Sequence, residues 1–243
     1  MVIRRMWTTL RAYLWIDPLI CLATAVMGSL NLVVSFFDKD GSRQLSVAQA
    51  WARMLCRIAG VRLAIEGREH LQPGASYILA SNHLSYMDTP VVLGHLPVNF
   101  RFMAKKGLFR VPFLGNHLER AGHLPVSSDN PREAIKLLSE AARLIVERKT
   151  SVLVFPEGGR AADGKLQVFK DGAFFLAIKA QVPVVPIALI GTYQMLPFGS
   201  GAMRPGPVTM RIGAPVATAG LGNKDREALS ARVRAEIERL LAG

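Results

Sequence analysis

The chain has 243 residues, half of them hydrophobic, and 30 lysines and arginines against 18 aspartates and glutamates give a formal net charge of +12. That length supports one domain of generous size, or one domain with an appendage, and a positive mean hydropathy is high for a purely soluble protein. So basic a chain suggests an anionic partner: nucleic acid, an anionic lipid surface or a phosphorylated substrate. The scarce aromatics, not interleaved with basic runs, argue against nucleic acid and for an anionic membrane surface. Cys21 and Cys56 have no metal-ligand spacing and make no disulfide framework.

At the N-terminus, Arg4, Arg5 and Arg11 accompany Trp7, Tyr13 and Trp15. An Asp17-Pro18 pair follows, and then nineteen uncharged residues from Leu19 to Phe37. A signal peptide is one reading, although the apolar stretch is long and no clear small-x-small cleavage site follows it. A single spanning helix is a second, since nineteen residues just reach across a hydrocarbon core. The third, which the flanking aromatic and basic residues favour, is an interfacial or re-entrant helical pair divided at Asp17-Pro18. Residues 1–42 are accordingly set apart as a membrane-associated helical segment, and 43–243 as the domain proper.

Residues 44–59 read as an amphipathic helix, with Val47, Trp51, Met54, Leu55 and Ile58 on one side and Gly60 at its end. Val61 to Ile65 alternates as a strand, and Pro73-Gly74 turns the chain into a second, buried one at Tyr77-Ile78-Leu79-Ala80. A helix from about Thr89 to Leu96 and a strand at Phe100–Ala104 follow, then a turn around Val111–Gly115 and a short strand at Gly122–Val126. Asn130-Pro131 opens a long helix to about Lys149 whose buried stripe is Ile135, Leu138, Ala142 and Ile145. Val152–Phe155 is a buried strand, Gly172–Ala180 a helix and Val182–Leu189 another strand. Within the last of these, Pro186 reads as a strand-edge residue rather than a chemical one. Val208–Ile212 is expected as a last edge strand before a C-terminal helix from Asp225 to Leu241. The alternation predicts an α/β fold: a mixed, largely buried sheet flanked by helices.

Directly after the second strand stands Ser81-Asn82-His83-Leu84-Ser85-Tyr86-Met87-Asp88. On a regular helix, residues five apart point about 140° from each other, so His83 and Asp88 meet only if a turn interrupts the segment. Ser85 suits an N-cap, and Asp88 then falls in the first turn of a new helix, where a carboxylate is favoured. Such a turn brings Asp88 to His83 Nδ1 and leaves Nε2 free to take a proton. The alternative is a structural histidine beside a capping aspartate. His70, His95, His117 and His123 show no ligand spacing with Cys, Asp or Glu.

At Phe155-Pro156-Glu157-Gly158-Gly159-Arg160, a buried strand ends in a turn carrying two glycines, a carboxylate and a guanidinium. Arg160 offers a planar fork that suits a phosphate monoester, and glycines let backbone N–H groups approach an anion. A tight surface turn with solvated Glu157 and Arg160 is the plainer reading. Gly159 to Lys165 also satisfies G-x4-G-K, but Leu166 stands where a magnesium-holding Ser or Thr is required, so a nucleotide-triphosphate loop is rejected.

His83-x4-Asp88, Phe155-Pro156-Glu157-Gly158-x-Arg160 and Val182-Pro183-Val184-Val185-Pro186-Ile187, in that order and spacing, resemble the glycerolipid acyltransferase family. Within it they fit best the enzymes acting on lysophosphatidic acid (1-acyl-sn-glycerol 3-phosphate). Phe102–Lys106 with Pro112 and Gly115, Gly122–Val126 and Phe169-Lys170-Asp171-Gly172 agree, so the resemblance covers roughly residues 60–215. It implies transfer of a fatty acyl group from acyl-CoA or acyl carrier protein to the 2-hydroxyl of lysophosphatidic acid, giving phosphatidic acid. His83 is then the general base and Asp88 its orienting carboxylate; there is no covalent acyl-enzyme, no metal and no cofactor beyond the donor. Glu157 and Arg160 match the family's acceptor-binding motif, with Arg160 as phosphate ligand. Lys105 and the Gly158 backbone N–H are the candidate donors to the tetrahedral oxyanion. The chain has no G-x-S-x-G elbow to suggest a hydrolase.

In two places this chain departs from the family pattern: Gly159 stands for the usual Thr or Ser, and Ser128 for an arginine. They keep open another lysolipid or glycerol 3-phosphate as acceptor, with Lys105, Lys106 and Arg132 as replacement cations. From a different class, a non-catalytic membrane lipid-binding protein is the alternative. The expected location is the membrane, on the cytoplasmic face of the inner membrane.

Overall fold

The computed structural model describes residue 7 and residues 9–38, 40–111, 114–126, 130–197, 199 and 201–243. Arg4, Arg5, Pro112, Ser127 and Ser128 lie outside the described residues. Seven strands form one sheet: β1 (Val61–Glu66), β2 (Ile78–Ser81), β3 (Phe100–Lys105), β4 (Leu124–Val126), β5 (Ser151–Val154), β6 (Val184–Ile190) and β7 (Gly206–Ile212), in the order β1-β7-β6-β2-β5-β3-β4. From β6 to β4 every neighbouring pair is parallel, whereas β6 and β7 are antiparallel and β1 runs parallel to β7. The sheet is therefore mixed, as expected. β2 and β5 are buried throughout and nearly all apolar, the mark of strands covered on both faces. β1 alternates between half-buried and exposed residues because it is an edge.

The helices are α1 (Thr9–Ser35), α2 (Ser42–Ala59), α3 (Asp88–His95), α4 (Leu114–Arg120), α5 (Pro131–Arg148), α6 (Gly172–Ala180), α7 (Thr192–Met195) and α8 (Arg226–Ala242). Two apolar clusters, one per face, fill the molecule. One joins Ile16, Ala52, Cys56 and Val92 to Leu79, Leu153 and Val185; the other joins Ala142, Phe174 and Val233 to Ile78, Val152 and Val184. Successive strand residues thus enter opposite layers, the period of two that a doubly covered sheet imposes. Both thiols are free, and burial pushes the Cys56 thiol up to about 12.

Several expectations need correction. The chain does not divide at Asp17-Pro18: α1 continues through it, with Ala12–Ile16 in the wider π form and the Asp17 N–H donating to the Ala12 carbonyl. Pro18 has no N–H for the Leu14 carbonyl, and opening the helix by one residue accommodates that loss. The helical pair is instead α1 with α2, joined through Gly41 at φ 75°, where a Cβ would come within 2.8 Å of the Ala121 carbonyl oxygen. Of the expected apolar side of α2, Leu55 is buried and Trp51 and Ile58 pack partly buried on the core, whereas Val47 and Met54 are only half-buried. Gln44, Ala52, Cys56 and Ala59 complete the buried side, and small residues there let the helix approach α3. On α5, Ala141 joins the buried stripe and Ile135 is 55% exposed. β7 is not an edge strand; it lies between β1 and β6. Pro186 sits on interior β6, where its carbonyl accepts from the Gly213 N–H (2.8 Å) just beyond the end of β7, so the bond its absent N–H forgoes falls at the end of the ladder.

Candidate active site

The carboxyl ends of the five parallel strands share one edge, where ligands gather in open α/β sheets. His83 lies two residues beyond β2, Glu157 three beyond β5, and Lys105 is the last residue of β3.

Asn82 fixes the path after β2. Its Oδ1 accepts from the Leu189 N–H (2.7 Å) and its Nδ2 donates to the Leu189 carbonyl (3.0 Å), so a side chain continues the ladder to β6 for one more residue. The next residue, His83, is held by its backbone: its N–H donates to Glu157 Oε1 (2.6 Å) and its carbonyl accepts from Ala161 (3.1 Å). A turn then carries the chain into α3. Ser85 Oγ accepts from the Met87 N–H (3.0 Å) and donates to the Leu196 carbonyl (2.7 Å).

That turn brings His83 and Asp88 together, with Nδ1 to Oδ2 at 2.9 Å. The same Oδ2 accepts from the N–H groups of Leu84 and Ser85, both at 2.7 Å, and Asp88 is 0% exposed. A carboxylate receiving two amide hydrogens and facing Nδ1 places the imidazole proton on Nδ1 and the lone pair on Nε2. Nε2 has no hydrogen-bond partner among the described residues. The ring is stacked on Phe155, centroids 3.8 Å apart and planes 13° apart, so it cannot swing away from Asp88 without losing that contact.

The remaining predicted residues fall into two groups. Glu157 is buried behind His83, its Oε2 accepting from Gln167 (2.7 Å) while Oε1 holds His83. Both oxygens thus serve backbone amides, and the residue ties three loops together rather than facing a ligand. The Gly158 N–H is committed to the Phe155 carbonyl at 2.9 Å, which removes it as an oxyanion donor. At φ 74° that glycine leaves room for Lys170, whose Nζ lies 2.7 Å from where a Cβ would stand. Arg160 faces outward: its Nε donates to the Ser85 carbonyl (3.3 Å) and its guanidinium lies over the Tyr86 ring, 4.4 Å from the centroid. Its two terminal nitrogens have no hydrogen-bond partner among the described residues. Lys105 is exposed on a strand two places from β2, about 10 Å away at ordinary strand spacing. Lys106 is ion-paired with Glu133. Sequence reasoning missed Asn82, the Phe155 stack and Lys170. Asn82 had a signal in its position directly after a buried strand; the other two depend on distant loops meeting.

Burial pushes the Glu157 carboxyl up to about 7 from its ordinary 4.5, against the pull of the Gln167 and His83 amides. Because the folded value lies above the unfolded one, the stability this group contributes is complete below about pH 4.5 and is lost as pH rises through about 7. Glu157→Gln cannot titrate. Thermal unfolding followed across this range is therefore expected to show the parent's midpoint falling relative to the variant's as pH rises; parallel curves would contradict the raised value.

A histidine oriented by a buried carboxylate, at the carboxyl edge of a mixed sheet and beside a guanidinium, can take and return a proton next to an anionic group. The family model described as Acyltransferase matches residues 62–190, more than half of the chain, and the chain belongs to that family. A 1-acyl-sn-glycerol-3-phosphate acyltransferase of Limnanthes douglasii is 37% identical over 161 residues, 66% of this chain and 57% of the plant protein. The alpha form of the Homo sapiens enzyme is 34% identical over 175 residues, 72% and 62% of the two chains. This chain thus spans less than two thirds of either relative. The crystal structure of the 1-acyl-sn-glycerophosphate acyltransferase from Thermotoga maritima matches over 98% of this chain and 96% of that one, with a TM-score of 0.75 and 26% identity.

Proposed function

We propose that the protein transfers a fatty acyl group from acyl-CoA or acyl carrier protein to the 2-hydroxyl of lysophosphatidic acid. The observation that carries this is the 2.9 Å contact of His83 Nδ1 with Asp88, which leaves Nε2 as a base. Nε2 takes the hydroxyl proton, the oxygen attacks the thioester carbonyl, and collapse of the tetrahedral adduct breaks the C–S bond. The imidazolium returns its proton to the departing thiolate. An alcohol needs this base, while a thioester is already activated, so no serine nucleophile, metal or further cofactor enters the scheme. Asp88 stabilises the transient imidazolium, as a buried carboxylate does in hydrolytic triads.

Arg160 and Lys170 are the cations proposed for the acceptor phosphate, since a guanidinium with free terminal nitrogens binds a phosphate in bidentate fashion. Lys105 remains the proposed oxyanion donor. Arg160→Ala is expected to raise KM for lysophosphatidic acid about tenfold or more with a smaller change in kcat, read from initial rates in mixed micelles. An unchanged KM would remove Arg160 from the acceptor site. One observation favours a second reading, a different lysolipid: a Cβ at Gly159 would meet nothing within 4 Å, so space is open where the family usually has a hydroxyl residue. A panel of lysolipid head groups decides between the two.

The same reading puts the protein at an anionic membrane, on the cytoplasmic face of the inner membrane, with residues 1–42 as the attached segment and 43–243 as the acyltransferase domain. Trp15, Leu22, Val26, Val33, Phe36 and Phe37 are exposed along or just after α1, and an apolar face of that size on the protein surface is suited to lipid.

A further inference from the structure

In the turn after β2, one side chain points outward between two that are buried. Ser85 is 0% and Met87 3% exposed, whereas Tyr86 is 41% exposed. The Ser85 Oγ bond to the Met87 N–H spans Tyr86, and the Ser85 N–H is held on Asp88, so the backbone on either side of the ring is fixed. Tyr86 belongs to neither apolar cluster. What its ring does meet is Arg160, whose guanidinium carbon lies over it, 4.4 Å from the centroid.

Arg160 arrives from another loop, six residues beyond β5. Two contacts from the one turn define its position. Its Nε donates to the Ser85 carbonyl at 3.3 Å, and the Tyr86 ring covers a face of the guanidinium. The hydrogen bond pins one atom of the planar group, and lying over a ring confines its tilt as well. The edge left over carries the two terminal nitrogens, which have no partner among the described residues. They stand side by side, as a bidentate contact to phosphate requires. A free arginine loses rotamer freedom when it binds a ligand, and an arginine already held in place loses less.

We propose that Tyr86 is a positioning residue for acceptor recognition: its ring face holds the Arg160 guanidinium with both terminal nitrogens presented to the acceptor phosphate. The inference rests on the acyl-transfer reading above and adds to it a residue that touches no reacting atom. Ser85 joins the two tasks of the turn. Its N–H holds the carboxylate that orients the base, and its carbonyl holds the arginine that grips the phosphate. Phosphate and hydroxyl of one acceptor are thereby set in register by residues 85–88.

The test separates an aromatic face from mere bulk. Tyr86→Leu keeps an apolar side chain without the face, and Tyr86→Phe keeps the face. Initial rates of the full-length protein in mixed micelles are measured against lysophosphatidic acid and, at fixed acceptor, against acyl-CoA. Binding is read apart from turnover, by calorimetric titration of the same protein with a short-chain, water-soluble lysophosphatidate. Tyr86→Leu is expected to raise KM for lysophosphatidic acid and Kd for the short-chain compound about fivefold, with kcat and KM for acyl-CoA within about twofold, the loss of one exposed cation–π contact. Tyr86→Phe should return both constants to within about twofold of the parent. In an Arg160→Ala background, Tyr86→Leu should change neither constant further, because the two residues act as one unit. If Tyr86→Leu does not fold, Tyr86→Gln carries the same comparison.

A tyrosine with only a structural role would lower the unfolding midpoint and leave KM and Kd alone. Unchanged constants in Tyr86→Leu, a Phe variant as poor as the Leu one, or an equal effect with and without Arg160 overturns the proposal and leaves acyl transfer by the parent untouched. Weakened binding in Tyr86→Leu, restored by Phe, in a protein that transfers no acyl group supports the platform and overturns the enzymatic reading. A parent that neither transfers nor binds overturns both.

Discussion

Replacing His83 by alanine is expected to lower the single-turnover rate of acyl transfer at least about a hundredfold, the ordinary contribution of a positioned general base. The loss should fall on kcat. The imidazole meets the acceptor hydroxyl only as its proton leaves, whereas the phosphate is gripped elsewhere, at Arg160. Folding should suffer little: Asp88 keeps the Leu84 and Ser85 N–H groups, and the His83 backbone keeps Glu157 and Ala161. What goes is one charge-assisted hydrogen bond and the stack on Phe155, about 1–3 kcal/mol together. Radiolabelled acyl-CoA with lysophosphatidic acid in mixed micelles measures the rate. A variant within tenfold of the parent would falsify the role of His83 as the base.

Asp88→Ala is expected to damage both activity and stability, and Asp88→Asn separates the two. In the parent a single oxygen, Oδ2, serves His83, Leu84 and Ser85. Alanine leaves two buried amides and an imidazole N–H without an acceptor, at about 1–3 kcal/mol for each group left unpaired. For a chain of this length that is a fall in the unfolding midpoint on the order of 10 °C. Asparagine presents an amide oxygen where Oδ2 was, which the Leu84 and Ser85 N–H groups require, so the turn and the Nδ1–H tautomer are kept. The negative charge is absent, however, and the imidazolium formed during transfer is no longer stabilised. Asp88→Asn should therefore regain most of the midpoint yet transfer acyl groups about a hundredfold or more below the parent. If the asparagine variant transfers at the parent's rate, the Asp88 charge has no part in the chemistry.

The meeting of His83 with Asp88 was legible because only local chemistry is involved. A buried strand, an interrupting Ser85 and an aspartate at a helix start leave few ways for a five-residue step to close. Helices α5 and α6 were equally readable, since Asn130 caps one through its side chain to Arg132 and Glu133 and apolar periodicity marks both. Strand order was not. Val208–Ile212 reads as an edge strand because it is the last before the C-terminal helix, and only its pairing with β1 places it inside the sheet. Glu157 reads as a ligand-facing carboxylate until the loop after β2 is seen to donate its amide to it across 74 residues of chain.

By itself, the sequence determined the alternation of strands and helices, the mixed α/β class, the apolar N-terminal stretch and the local turn that joins His83 to Asp88. Each follows from periodicity, propensity or spacing within a few residues. Only the tertiary structure decided which amides Glu157 would hold and that Gly158 would spend its N–H within its own turn. Those outcomes depend on which distant backbone groups arrive at a given donor or acceptor, and that is set by how the layers pack, not by any neighbouring residue.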